Sequence, residues 1–542
     1  MRGEKDSKRK DRERGKRARL LLGVFVVAAL WIRVYRVGEP IGGYHAFNEA
    51  WYALIASNYD SVKDFLFPIS VQGHVDYNVT PLLSYLLYFS CRAFGWTVAA
   101  MRAVPILFSV ATLPLLYLLG KRLFGRRAGL AAAAFYGFMP MPVIVGRNIQ
   151  TDALYVFMML ASLLLYMAAR EKERGTSMWI LCAGFVFGLA FMCKQFAVFL
   201  VPAVFLWELI RNRGMKWLGW EHAVFALGAL AANLPFFGYH FLFNRREMIT
   251  DMFNERQVAM PGGADLGYIA SECFWGFSPL IFMLLIVSII FFVVFRRRRS
   301  AVLPLVSIAV FLAFFLFVNM HSYYLMFTVP FVCLLAGGLI QEKLTVKGTV
   351  VIAGTIIAAC LFQSLLFMCS VKYGYGEFEA VGKMMAERDR PVIVAMNNFA
   401  GSYFPVISYY VKDDASLALE SDVVKDGGKS DFGDREVFLL GFAYEDDDRM
   451  PPARIYIRRP LYGLEIFGRT FVAEPMGEHF FRIDGVKTLK TGNIFDTGIK
   501  TVAWERSLVL GAVEPGHGLD IQGGRIDFRS PVNKNLRNEQ GR

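Results

Sequence analysis

The feature that most constrains this chain is the repeated alternation of long apolar runs with short clusters of lysine and arginine. Apolar runs near 18–20 residues match the thickness of a bilayer core, and the basic clusters fall between them: Lys121 to Arg127, Arg170 to Arg174, Arg211 to Arg213, Arg296 to Arg299, and Lys343 with Lys347. Only 19% of the 542 residues are charged and 55% are hydrophobic, where a soluble domain has roughly 25% charged. Lys and Arg accumulate on cytoplasmic loops. Placing every cluster inside predicts spans near 20–38, 99–119, 128–146, 152–169, 178–193, 195–210, 221–239, 273–295, 301–318, 322–341 and 349–369. The expectation is a polytopic α-helical membrane protein of about eleven spans in the cell membrane, with its N-terminus in the cytoplasm.

One apolar stretch, Pro81 to Gly95, does not fit that alternation. Counted as a crossing it would invert every later loop, so it reads as a helix resting in the outer interface within a first outer loop over 39–98. Residues 1–19 carry ten Lys/Arg and four acidic residues and read as a basic cytoplasmic tail. The net charge of +13 resides in these loop clusters, as membrane topology requires, and does not point to nucleic acid. The seven cysteines lie in or beside apolar segments, without a CxxC pair. Beyond about residue 372 the apolar runs shorten to strand length, as in Pro391-Val-Ile-Val-Ala-Met396, and charge rises. Residues 20–372 thus read as the membrane domain. Residues 373–542 read as a soluble α/β domain on the extracytoplasmic side.

With this topology, polar residues collect at the outer ends of the spans. Arg33 and Arg36 close the first, and Asn48, Glu49 and Tyr52 follow in the outer loop with His74, Asp76 and Asn78. Arg102 opens the second span, Arg147 and Asp152 flank the next outer link, Lys194 sits at a hairpin tip, and His321 precedes Tyr323 and Tyr324. Ionisable groups at membrane depth are costly and mark functional sites. Arg33, Arg102, Arg147, Lys194 and His321 as a set suit a lipid-borne phosphate; any one arginine taken singly reads better as snorkelling to headgroups. Glu49 and Asp152 are the carboxylates suited to acid–base work, although Asp152 could instead cap the helix that follows it. Tyr52, His74, Asp76, Asn78, Tyr323 and Tyr324 would line the substrate pocket. Glu49, Asp152 and His74 could together hold a divalent metal; no cofactor is otherwise indicated, and no glycine-rich nucleotide loop is present.

The motifs Phe47-Asn-Glu-Ala-Trp-Tyr52, Thr80-Pro-Leu-Leu83, Arg102-Ala-Val-Pro105, Gly146-Arg-Asn-Ile-Gln-Thr-Asp-Ala-Leu154, Gly188-Leu-Ala-Phe-Met-Cys-Lys194 and His321-Ser-Tyr-Tyr324 occur in this order over the first 370 residues. As a set they resemble the GT-C glycosyltransferases of family 39, the group of protein O-mannosyltransferases and bacterial aminoarabinose transferases. The resemblance implies transfer of a sugar from a polyprenyl-phosphate donor to a hydroxyl of a protein, glycan or lipid at the outer face, with inversion. The family pattern carries an Asp-Glu pair in the first outer loop, its Asp the proposed base. Here the pair is Asn48-Glu49, and an amide cannot take that proton. The base then falls to Glu49 or Asp152; alternatively, Asn48 orients an acceptor that is already nucleophilic. A polyprenyl-lipid or sugar transporter and a non-catalytic member of the same fold are the alternatives. Inverted repeats and broken midplane helices would mark a transporter, and none is evident in the sequence.

Overall fold

The computed structural model describes residues 2–41, 46–70, 75–77, 80–171, 176–212, 219–252, 266–294, 299–315, 322–370, 376–395, 397–412 and 414–419, and beyond these the strands named below and several shorter ones. It is mostly helical. In chain order the first helices are α1 (Arg2–Val34), α2 (Ala46–Ser57), α3 (Leu82–Phe94), α4 (Val98–Leu123), α5 (Arg126–Phe138), α6 (Pro140–Ile144), α7 (Asp152–Ala169), α8 (Thr176–Cys193), α9 (Leu200–Asn212) and α10 (Trp220–Asn233). Among the described residues, five helices are long and apolar enough to cross a membrane: α4, α7, α8, the stretch Trp220–Phe243 that begins with α10, and Val346–Leu365. The protein is an integral membrane protein.

A sixth crossing would come from α5 with Pro140–Arg147, which together pass the same test but bend by 60°. The sequence explains the bend. Pro140 has no N–H to give the helix, and Met139 before it is extended at φ −58°, ψ 139°. The expected single span over 128–146 is therefore broken at Pro140, in its second half. The stretch set aside as interfacial forms α3, whose 13 residues reach about 20 Å, short of a bilayer core.

The chain falls into two structural units. The first comprises 1–37, 59–68 and 75–367. Its helices pack through small residues. In α8, Gly184 and Gly188 are four apart and face Gly228 and Ala232 of α10. A Cβ on Gly184 would come 2.0 Å from the Phe225 carbonyl oxygen, and one on Gly228 would come 2.3 Å from that of Leu181. Two backbones this close leave no room for a side chain. Such contact drives helix association where the hydrophobic effect between helices is absent.

The second unit comprises 38–58, 69–74 and 368–542, so it takes α2 from the first loop. Six strands form its main sheet, in the spatial order Ser416–Leu419, Val392–Ala395, Val437–Ala443, Ser507–Val513, Phe480–Ile483, Ala473–Pro475. The first two pairings are parallel and the rest antiparallel. The helix Asn397–Val411 joins the two parallel neighbours Val392–Ala395 and Ser416–Leu419, as a crossover helix does. It packs on the sheet with one side and on α2 with another. Ala46, Glu49, Ala50 and Ala53 form a buried, mostly small-residue stripe along α2, which lets a neighbouring backbone come close.

The glycine contact gives a direct test. Gly184→Leu should separate α8 from α10 and lower the thermal unfolding temperature of the purified protein, at a cost of about 1–3 kcal/mol or more. Leu→Ala at the lipid-exposed Leu227, by contrast, should leave it nearly unchanged.

Candidate functional site

Helices α7 and α8 are 18 residues each, pack against one another and are joined by a short link, so the start of α7 lies beside the end of α8. That hairpin brings together two residues 42 positions apart. Asp152 opens α7, where a carboxylate is favoured by the helix dipole. Lys194 follows α8 in an extended conformation (φ −161°, ψ 126°) that turns the chain out of the helix. Its Nζ donates to Asp152 Oδ1 at 2.6 Å. The pair is nearly dry, with side chains 16% and 2% exposed for Lys194 and Asp152.

Four aromatic rings surround the ammonium. Lys194 Nζ is 4.7 Å from the centroid of Tyr323, 5.1 Å from Tyr324, 5.5 Å from Phe196 and 5.6 Å from Tyr155. These distances lie within the range of cation–π attraction. Tyr323 and Tyr324 come from the 3₁₀ segment Ser322–Phe327, which packs on α7. Tyr155 and Phe196 complete the cage, and the motifs alone do not single them out. The signal that could have found them is local: Tyr155 is one turn past Asp152 on the same helix face, and Phe196 is two residues past Lys194.

The three arginines assigned to a phosphate gather around the end of α1, and the structure shows where several of their donors go. Arg33 is fully buried. Its Nε donates to Ser109 Oγ at 2.9 Å, its Nη1 to the Ala29 and Gly137 carbonyls at 3.0 and 2.9 Å, and its Nη2 to Pro142 O at 3.1 Å. Four of its five N–H groups are thus engaged inside the protein. Arg102 is carried by α4, whose start is capped by Thr97 accepting from Ala100 N. Its Nη1 donates to Val37 O at 3.1 Å. Arg147, at the end of the bent segment after α6, donates from Nη2 to Tyr35 O. The carbonyls of residues 35 and 37 lie just past the helix, where a helix leaves its C-terminal acceptors unmet. Arg36, between them, adopts the left-handed conformation at φ 54°, a strained geometry for a non-glycine residue.

The remaining expected residues fall as follows. Asn48, Glu49 and Tyr52 lie on α2 in the second unit; Glu49 is buried, Asn48 and Tyr52 half-buried. Asp76 is buried in the first unit, its N–H donating to Pro68 O, and the N–H of Tyr77 beside it donates to Asp251 Oδ2 at 2.7 Å. Thr80 Oγ1 donates to the Cys193 carbonyl, fastening the Thr80-Pro81 motif next to Lys194. His74, Asn78 and His321 lie outside the described residues. Among the described residues no group of three or more His, Cys, Asp or Glu side chains is arranged to hold a metal.

Comparison with known proteins gives three findings. Residues 78–239 match the family described as dolichyl-phosphate-mannose-protein mannosyltransferase. The solved structures of ArnT from Cupriavidus metallidurans, in the apo state and bound to undecaprenyl phosphate, each superpose with a TM-score of 0.61 at 13% identity. They cover 80% and 81% of this chain and 95% and 96% of their own. The chain has the GT-C glycosyltransferase fold. Two Bacillus subtilis (strain 168) proteins described as candidate mannosyltransferases, YkcB and YycA, are each 28% identical, over 39% and 36% of this chain. The matches span only 29% and 28% of those longer relatives. Within the GT-C fold the matched family segment contains Arg102, Arg147, Asp152 and Lys194, and excludes Asn48 and Glu49.

The ion pair makes a prediction on stability. Lys194→Met alone leaves a buried carboxylate uncompensated and should destabilise by about 3–5 kcal/mol. Adding Asp152→Leu should recover most of that loss in a thermal or denaturant unfolding measurement, because the double variant buries no charge.

Proposed function

We propose that the protein is a membrane glycosyltransferase that moves a sugar from a polyprenyl-phosphate donor to an acceptor hydroxyl on a protein, glycan or lipid at the extracytoplasmic face. The observation that carries this reading is the dry Asp152–Lys194 pair within the GT-C fold. It combines a carboxylate and a cation, the two groups that the chemistry needs. Support also comes from the ArnT structure bound to undecaprenyl phosphate, an acidic lipid of the proposed donor class.

In this reading Lys194 receives the donor phosphate, assisted by Arg102, Arg147 and His321. Arg33 has most of its donors engaged within the protein, so we assign it to holding the fold instead. Glu49 or Asp152 takes the proton of the acceptor hydroxyl, and Asn48 orients that hydroxyl. The oxygen forms a bond to the anomeric carbon as the bond from that carbon to the phosphate oxygen breaks. The lipid phosphate departs as an anion, and the sugar inverts. The cations act where negative charge grows on the leaving group, so their contribution belongs to the transition state. Tyr52, His74, Asp76, Asn78, Tyr323 and Tyr324 line the substrate pocket.

The topology completes the proposal. Eleven spans, a cytoplasmic N-terminal tail over 1–19 and an extracytoplasmic α/β domain over 373–542 would put the polar cluster at the outer leaflet. The distribution of basic clusters and the mixed sheet with its crossover helix support this arrangement.

The test is release of polyprenyl phosphate from polyprenyl-phosphate mannose by the purified protein with a membrane extract as acceptor source. Glu49→Gln combined with Asp152→Asn should lower the rate at least about 100-fold, the scale of general-base catalysis. A rate left intact by the double variant would end the assignment.

A further inference from the structure

The helix that bears Asn48 and Glu49 lies between two backbone points, one ahead of it and one at its end, that are held by side chains more than 350 residues further along the chain. Ahead of it, the Tyr410 hydroxyl accepts from the Ile41 N–H at 2.7 Å and donates to the Ile41 carbonyl at 3.2 Å. One phenol thus takes both backbone groups of a single buried residue, five positions before α2 begins. At the trailing end, Lys412 Nζ donates to the Ser57 carbonyl at 2.8 Å and reaches Ser57 Oγ at 3.4 Å. Ser57 is the last residue of α2, and a cation there satisfies an orphan carbonyl and complements the helix dipole. Between these points α2 packs on the helix Asn397–Val411, which contains Tyr410 and is seated on the sheet. All of these residues belong to the second unit.

We propose that Tyr410 and Lys412 are positioning residues for α2, so that the C-terminal unit sets the place of Glu49 and Asn48. The idea rests on the reading that this pair works on the acceptor. It assigns the C-terminal unit a part in the transfer step itself, beyond any choice of acceptor. The arrangement has the marks of a clamp. It grips backbone, so it fixes the helix as a body whatever side chains the helix carries. It holds the last residue of the 12-residue helix and a residue five positions before its start, two points that together restrain tilt as well as translation. A small displacement of an acid–base group is enough to lower a rate severely.

The test uses the full-length protein in nanodiscs and two measurements on each variant: amide hydrogen exchange in the peptide covering 46–57, and kinetics of polyprenyl-phosphate mannose turnover. Tyr410→Phe keeps the ring and removes both hydrogen bonds. It should speed exchange in 46–57 about fivefold and lower kcat about tenfold with KM for the donor unchanged. Lys412→Met should act in the same direction by about threefold, and Lys412→Arg should restore both values, since arginine also donates to a carbonyl. Exchange within about twofold of the natural protein in Tyr410→Phe would overturn the proposal. Faster exchange with kcat retained would overturn it too, for α2 would then be held for stability alone. If Tyr410→Phe does not yield folded protein, the Lys412→Met and Lys412→Arg pair decides by the same criteria. Should the natural protein turn over no donor, the functional reading fails, and exchange alone decides whether the two side chains place α2.

Discussion

A backbone carbonyl inside a membrane protein has no water to turn to, and each one left unmet costs several kcal/mol. The end of α1 is where this constraint is felt most sharply. The helix stops at Val34, the chain turns through a left-handed arginine, and the carbonyls of residues 35 and 37 lie just past the helix end. Arg102 and Arg147 reach in from α4 and from the segment after α6 to meet them, while Arg33 reaches out from α1 to the carbonyls of Gly137 and Pro142 on either side of the proline break. Three arginines thereby tie four elements into one knot. Each guanidinium is placed by the backbone it satisfies, and the broken span is stitched at the point where it loses its own hydrogen bonds.

The same economy governs the Asp152–Lys194 pair. Two charges removed from water cost far more than they return unless each is met closely. The carboxylate has an ammonium and a helix N-terminus; the ammonium has the carboxylate and four ring faces. A lipid phosphate arriving at Lys194 would compete with Asp152 for one cation, and the aromatic rings would soften the exchange by attracting the ammonium in either position. In the proposed function, a cation shared between two anions would let the site take up the donor and release the lipid phosphate.

Much of the fold could be read from the sequence. Apolar length located the helices α4, α7 and α8, but it merged α5 with the segment past Pro140 into one span and so missed the bend. The motif order announced the GT-C fold that the ArnT comparison bears out. The site was legible as a set of residue types and much less as a set of contacts. Nothing local to Arg33 says that its donors will meet carbonyls of residues 137 and 142, more than a hundred positions away. The cage around Lys194 draws Tyr155 and Phe196 from next to motif residues, and nothing in their apolar sequence neighbourhood singles them out. Least legible was the allegiance of α2. Its sequence reads as an interfacial piece of the membrane domain, and its partners lie in a region with no motif at all.

That allegiance has a consequence for biosynthesis. Ile41 and the tyrosine that seizes it are 369 residues apart. At a ribosomal pace of roughly 5–20 residues per second, the helix emerges on the order of tens of seconds before its clamp exists. In that interval α2 can lie against lipid or be shielded by another factor, but it cannot adopt its final seat. Nascent chains that stall or are cleaved before residue 410 would therefore carry α2 without the two side chains proposed to position it.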